Sequence, residues 1–427
     1  MRVVVVALGK IGLPLAAHIA RAGHEVIGCD VDERVVAAVN EARAPFPGET
    51  GLDEALAELL PAGRLRAQRD TAAAVAEAPE LVLAVPPLMV DTHGRPDFAV
   101  LDAVLADVGR GLRAGTTVSV ETTLPVGTTR ERVAPALERQ SGLRAERDFH
   151  VVFSPERVFS GRVFRDLDTY PKLVGGLSAE GEARGVELYS RFISAEVWPM
   201  GGAEAAELTK LAETTYRDLN IAFANELAML ADRAHVDVER VIAAANSQPF
   251  SHIHRPGVAV GGHCIPVYPR FLLQGDTDPA TLRLPAAARE VNDAMPRYAV
   301  ALLEEALGAL RGERVLILGI AYRGGVKETA FSGAFALRDA LRAAGADPLA
   351  ADPLYADEEL RALGFEPWDG AAVAGAVLQA DHERYRALTP TDLPGARAVV
   401  DGRGVLDAAP FASAGVALRR IGDGGLS

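Results

Sequence analysis

The chain has 427 residues, 49% of them hydrophobic and 24% charged, with a formal net charge of -14. This length suits two or three domains with substantial cores, and the acidic balance excludes a general nucleic-acid binder, a local basic pocket for a phosphate aside. No apolar run reaches membrane-span length, Met1 leads into Val3–Val6 with no basic segment or cleavage site, and two cysteines make no disulfide framework, so the expectation is a cytoplasmic protein without leader or anchor.

Residues 2–7 form a β-rich run. Ala7-Leu8-Gly9-Lys10-Ile11-Gly12 follows, then a helical pattern through Leu15, Ile19 and Ala20, then a second apolar run from Glu25 to Cys29 that ends at Asp30. Strand, glycine turn, helix, strand and acid read as a dinucleotide-binding unit, with a plain α/β turn as the alternative. Gly9 lets backbone approach a pyrophosphate, Gly12 permits close helix–strand packing, and the helix N-terminus offers free N–H groups. Ala7 stands where the fingerprint has its first glycine. A carboxylate at Asp30 accepts from a ribose 2′-OH and repels a 2′-phosphate, which favours NAD over NADP.

Further apolar strands run over 81–85, ending in Pro86-Pro87, over 117–120, ending in Glu121-Thr122-Thr123-Leu124-Pro125, and from His150 to Phe153, delivering Ser154-Pro155-Glu156-Arg157. Ligands of open α/β sheets sit outside the carboxyl ends of the strands, so these ends line a nicotinamide pocket. Residues 203–235 read as one long helix without proline, on which Lys210, Thr214 and Arg217 share a face. Lys210 reads either as a functional group or as part of a solvated face. A second nucleotide-fold pattern starts near Glu313: a strand and turn over 314–319, a helix over 330–344, a strand from Pro348 to Asp352, and a late strand Ala398–Asp401. It has one glycine in place of a complete phosphate fingerprint, so it binds a different nucleotide or only packs.

Two residue types stand out. Only Lys10, Lys172, Lys210 and Lys327 among 44 basic residues are lysine, the rest being arginine. In so arginine-rich a chain a retained lysine marks a need for a compact ammonium of adjustable pKa, or survives by chance. The cysteines also differ. Cys29 ends an apolar run and reads as a core residue. Cys264, in Gly261-Gly262-His263-Cys264-Ile265-Pro266, reads as a nucleophile for an aldehyde or as a small buried hydrophobe.

In this order the motifs resemble the nucleotide-sugar 6-dehydrogenases, the family of the UDP-glucose, UDP-N-acetylmannosamine and GDP-mannose dehydrogenases. The match runs from Met1 to about Leu406. It is carried by Leu8–Pro14, Glu121–Thr129, Ser154–Arg157, Glu207–Lys210, Asn225-Glu226, Pro256–Cys264, Leu318–Thr329 and Asp401–Arg403. The wording around Glu156 and Cys264 looks closest to the N-acetylhexosamine branch. The resemblance implies an α/β fold of two Rossmann-like domains joined by the long helix. It places an NAD-binding domain over 1–198, a central helical dimerisation and catalytic segment over 199–300, and a nucleotide-sugar-binding domain over 301–427. NAD is the implied cofactor, a nucleotide-diphosphate sugar, most simply a UDP-sugar, the substrate, and a homodimer the assembly. No nucleic acid, membrane or metal enters this reading.

Residue by residue, Cys264 matches the family nucleophile, Lys210 the catalytic lysine, Thr123 a water-positioning threonine and Glu156 a glutamate of base chemistry. Thr214 and Tyr268 stand where the family has an asparagine and an aspartate. The implied cofactor set is Gly9, Lys10, Ile11, Gly12, Asp30, Arg34, Val85, Pro86, Thr122 and Lys327. The implied substrate set is Arg157, Asn225, Arg255, Gly261, Arg323 and Arg403. Ser160 stands where the glucose branch carries a second glutamate, Phe250 where the N-acetylhexosamine branch often has a sugar-binding arginine, and Pro87 where a threonine is common. The chemistry expected is a C6 alcohol oxidised twice, through a thiohemiacetal and then a thioester on Cys264. Two rivals stand beside it: a two-electron β-hydroxyacid dehydrogenase and a non-catalytic nucleotide-sugar binder. NADH yield separates the three as two, one or none.

Overall fold

Val3, Val4, Val5 and Val6 are all buried, as a strand covered on both faces of a parallel sheet requires. They form the centre of the first of two large sheets in a computed structural model that describes residues 1–91, 94–159, 161–275 and 281–425. The chain divides into two units, Met1–Glu213 with Arg270–Thr277, and Thr214–Pro269 with Asp278–Ser427.

The first unit carries β1 (Arg2–Val6), β2 (Glu25–Cys29), β3 (Leu65–Gln68), β4 (Leu81–Ala84), a small antiparallel pair β5 (Met89–Val90) and β6 (Pro96–Asp97), then β7 (Thr117–Val120), β8 (His150–Phe153), β9 (Lys172–Gly176) and β10 (Val197–Pro199). The main sheet runs β10-β9-β8-β7-β4-β1-β2-β3. From β3 to β8 all neighbours are parallel; β9 turns antiparallel to β8, and β10 pairs parallel with β9. The strand order reverses between β1 and β4, and ligand sites of such sheets lie at that switch point. Helix Gly12–Arg21 buries Leu13, Leu15 and Ile19 in the same core as Val3 and Val5.

The second unit carries β11 (Arg314–Leu318), β12 (Asp347–Ala351), β13 (Glu366–Pro367), β14 (Gly375–Leu378), β15 (Ala398–Asp401) and β16 (Ala417–Arg420), all parallel in the order β13-β12-β11-β14-β15-β16. Helices Arg283–Leu307 and Gly333–Ala343 share its core through Met295, Leu303, Leu337 and Leu341.

Helix Ala203–Ala234 has 32 residues, so it is about 48 Å long at 1.5 Å per residue. It begins in the first unit and ends in the second. Two Rossmann-like sheets and a long joining helix are therefore found as expected. Among the described residues, no helix is long and apolar enough to cross a membrane.

Candidate active site

At the end of β1 the chain turns sharply. Ala7 takes a left-handed φ of 75°, and its N–H donates to Cys29 O at 2.8 Å. The next N–H, of Leu8, donates to Asp30 Oδ2 at 2.8 Å, and the N–H of Asp32 donates to Asp30 Oδ1 at 2.9 Å. Asp30 is thus fixed as an acceptor at the end of β2. A Cβ on Gly12 would lie 2.0 Å from Ala7 O, whereas a Cβ on Gly9 would meet nothing within 4 Å. Gly12 serves the close packing of helix on strand, and Gly9 leaves room above the turn for a phosphate. These residues fit a dinucleotide. Lys10 is exposed beside Gly9, and Ile11 precedes the first helical residue. The N–H of Val85 donates to Val6 O, and the Pro86 carbonyl accepts the Thr122 hydroxyl, which ties two strand ends together. Arg34 is exposed and bonded to Asp32, the cap of its own helix.

The same unit holds a chain of charged side chains. Thr123 is buried beyond the end of β7. Lys210, also buried, donates to Glu213 Oε1 at 3.2 Å, and Arg157 Nε donates to Glu213 Oε2 at 2.9 Å. Glu213 therefore holds two of the sequence-predicted residues. Glu156 Oε1 accepts the Arg157 N–H at 2.8 Å, and Glu156 Oε2 accepts from Lys172 Nζ at 2.8 Å. Lys172 Nζ also donates to Glu121 Oε2 at 2.8 Å, and Tyr189 donates its hydroxyl to the other Glu121 oxygen. Burial drives the Glu121 carboxyl up to about 7, with Lys172 pulling the other way. Burial presses Glu156 upward too, but there the charge and hydrogen bond of Lys172 prevail and hold it below the ordinary carboxylate range.

In the second unit Cys264 is exposed, which excludes its reading as a buried hydrophobe, while Cys29 is buried as expected. Gly262 has a φ of 96°, and its N–H donates to Ala330 O at 2.9 Å. A Cβ on Gly261 would meet Tyr322 Cβ at 2.7 Å and Phe331 O at 2.9 Å. The two glycines thus let the cysteine turn lie against residues 322–331. The Cys264 carbonyl accepts the Tyr268 N–H at 2.9 Å, so Tyr268 opens helix Tyr268–Gln274 one turn beyond the cysteine. His263 lies 3.5 Å from Glu328.

Tyr322 links this turn to the predicted arginines. Its hydroxyl accepts from Arg323 Nε at 3.2 Å, and its carbonyl accepts from Arg403 Nη2 at 3.3 Å. Arg403 also donates to the Gln379 carbonyl and side chain, and burial lowers its pKa. Arg255 and Arg403 line one recess with the turn at Asp401–Gly404. Asn225 is fully buried; its Oδ1 accepts the Gly257 N–H and its Nδ2 donates to Asn292. Lys327 pairs with Glu359 at 2.6 Å and sits over the Tyr355 ring. Thr214 is buried, Phe250 is 92% exposed, Pro87 is exposed, and Ser160 lies outside the described residues.

Known proteins of the same family and fold match this chain over nearly its whole length. Residues 1–193 match the NAD-binding domain of the UDP-glucose/GDP-mannose dehydrogenase family, and residues 204–294 match its central domain. The chain is 33% identical to a UDP-N-acetyl-D-mannosamine dehydrogenase of Pyrococcus horikoshii, over 99% of this chain and all of that one. The chain belongs to the UDP-glucose/GDP-mannose dehydrogenase family. It is therefore a dehydrogenase, and NAD is its cofactor. An NDP-N-acetyl-D-galactosaminuronic acid dehydrogenase of Ralstonia solanacearum is 34% identical over 96% of this dehydrogenase and 97% of the relative. The solved structure of the Pyrococcus horikoshii UDP-D-ManNAc dehydrogenase superposes with a TM-score of 0.89 at 31% identity, each chain fully covered. A UDP-glucose dehydrogenase from Pyrobaculum islandicum gives 0.87 at 29% identity, covering 99% of this dehydrogenase and 97% of that chain. Fold alone therefore does not separate the sugar branches.

Sequence reasoning did not single out Glu213, Glu121 and Tyr322 as site residues, and it left Lys172 without a place. Glu213 was within reach, because it lies three residues past Lys210 on a helix and shares its face. Nothing local connects Glu121 and Lys172 or points to Tyr322.

Proposed function

We propose that this dehydrogenase oxidises the C6 hydroxyl of a UDP-linked N-acetylhexosamine to the uronic acid in two steps, through a covalent intermediate on Cys264. The observation that carries this reading is an exposed cysteine in a double-glycine turn, on a chain whose other unit has an NAD-binding end. When bound, NAD accepts a hydride in each oxidation. Gly9, Lys10, Ile11, Gly12, Asp30, Val85, Pro86 and Thr122 would hold it, with Arg34 and Lys327 as outlying members of the set.

The chain's own groups then divide the work. Thr123 positions a water that takes the hydroxyl proton, with Lys210 as its electrostatic partner and Glu213 holding Lys210 in place. The Cys264 sulfur adds to the aldehyde carbon, and Lys210 stabilises the resulting alkoxide. The second oxidation leaves a thioester, and Glu156 takes a proton from the water that cleaves it. Arg157, Arg255, Gly261, Arg323 and Arg403 receive the nucleotide sugar, and Asn225 supports that site through Gly257. Thr214 and Tyr268 serve where relatives have other side chains. Exposed Tyr216, Phe223 and Leu230 recur every seven residues along the long helix and supply an apolar stripe for a homodimer.

The test is a turnover panel of UDP-, dTDP- and GDP-sugars, with the acid product quantified. UDP-N-acetyl-D-mannosamine and its N-acetylhexosamine isomers should give acid; a panel in which only simple hexoses react would overturn the sugar assignment.

A further inference from the structure

Among the four lysines of this arginine-rich chain, Lys172 lies in no motif, yet it is the most deeply placed in the charge cluster. Its side chain is 4% exposed, and one nitrogen bonds two carboxylates at 2.8 Å each, Glu121 from the end of β7 and Glu156 from the loop after β8. One ammonium nitrogen is thus shared by two carboxylates, a compact point charge that needs no fork geometry to serve both. Among the described residues, the following charged and titratable groups surround Glu156. Lys172 comes from β9 and Glu121 from β7. Tyr189, at the end of helix Ala179–Tyr189, bonds Glu121 and Ser119. The Arg157 guanidinium points to Glu213, which also takes Lys210 from the long helix.

We propose that Lys172 is a positioning residue for the hydrolytic half-reaction: clamped between Glu121 and Glu156, it fixes the Glu156 carboxylate, and Glu121 sets how strongly Glu156 holds a proton. The inference rests on the reading above, in which Glu156 is the base of thioester cleavage. In that step the water oxygen bonds to the acyl carbon while the water proton passes to Glu156. The C–S bond then breaks with its electron pair returning to the Cys264 sulfur. Two carboxylates and one ammonium carry one net negative charge, which the arriving proton cancels. The cluster therefore takes up that proton without leaving a net charge in a buried place. The raised Glu121 carboxyl agrees with a cluster poised to hold one proton.

The experiment uses E121Q and K172M in the full-length enzyme, with the panel sugar of highest turnover. The decay of the Cys264 adduct is followed by intact-mass spectrometry across pH after a single turnover. Glu121→Gln keeps the shape and the bond to Lys172 but removes a negative charge. The proton that the pair shares is then left to Glu156 alone, which Lys172 holds below the ordinary carboxylate range, so the acidic limb of adduct decay moves down by about one pH unit. Lys172→Met removes the positive charge and should move the limb the opposite way, with adduct accumulating. Circular dichroism checks folding, and E121Q alone decides the matter if K172M does not fold. A limb that stays in place in folded E121Q overturns the proposal while leaving the covalent mechanism intact. A wild-type enzyme that forms no Cys264 adduct overturns the covalent mechanism and the proposal with it.

Discussion

The two sheets of this dehydrogenase have the same strand order at their centres, and the turn after the first strand of each is built alike. Ala7 and Gly319 both take a left-handed φ and donate N–H to the last residue of the second strand. The next N–H, from Leu8 or Ile320, donates to the following acid, Asp30 or Asp352, at 2.8 Å in both cases. Beyond that point they differ. The first chain path reaches its helix within a few residues, past an unobstructed Gly9. The second detours through 321–332, and its acid is closed off: Asp352 accepts from Ala321 N–H and from His382 Nε2 at 3.1 Å, and is 7% exposed. A Cβ on Gly319 would lie 2.5 Å from Ala380 Cβ. One turn is kept for a dinucleotide; its counterpart is plugged, and the detour instead receives the cysteine turn at Tyr322. A shared fold does not imply a shared site.

The largest effect should come from the second unit's chemistry alone. Cys264→Ser should lower acid formation by at least about 1000-fold, roughly 4 kcal/mol of barrier, while NAD affinity by calorimetry stays at the wild-type value. Acid made at the wild-type rate would remove the cysteine from the mechanism. Next, Lys210→Arg should fold normally yet lose at least about 100-fold in kcat, or about 2.7 kcal/mol. Guanidinium is larger, and it breaks the fit to Glu213. Near-wild-type NADH production would make Lys210 a structural charge.

The acids sharpen the comparison further. NAD should be preferred over NADP by at least about tenfold in kcat/KM, roughly 1.4 kcal/mol, and Asp30→Ala should erase the preference. Asp352→Asn should leave it untouched and cost stability instead. Burial pushes Asp352 upward, but hydrogen bonds from His382 and from backbone N–H groups outweigh it and hold the carboxyl below its ordinary value. Its stabilisation is therefore present above the unfolded value of about 3.9 and lost as pH falls through the folded one. Acid titration of the Asp352→Asn protein should show a shallower loss than wild type; parallel curves would count against the pairing. The glycines give the smallest contrast. Gly319→Ala should cost about 1–3 kcal/mol from overlap and a strained φ, read as a lower Tm. Gly9→Ala should leave Tm unchanged and weaken NAD binding; equal Tm losses would erase the distinction between the turns.

Much of this was legible in the chain. The strands at 2–6, 25–29 and 314–318 announce themselves as apolar runs bounded by turns. Leu65–Gln68 escaped notice because it is an edge strand whose Arg66 is exposed, and Gly375–Leu378 because it opens on glycine and alanine. The Cys264 and Lys210 motifs were readable from spacing and composition. The Glu121–Lys172–Glu156 cluster was not, because its members lie on three segments far apart in sequence and only the sheet order β7-β8-β9 brings them together.

The most direct test of the covalent, two-step account is the number of NADH formed per sugar consumed, measured together with the mass of the Cys264 peptide during turnover. The account predicts two NADH, no released aldehyde, and a sugar adduct on Cys264. One NADH per sugar with an unmodified Cys264 would contradict it.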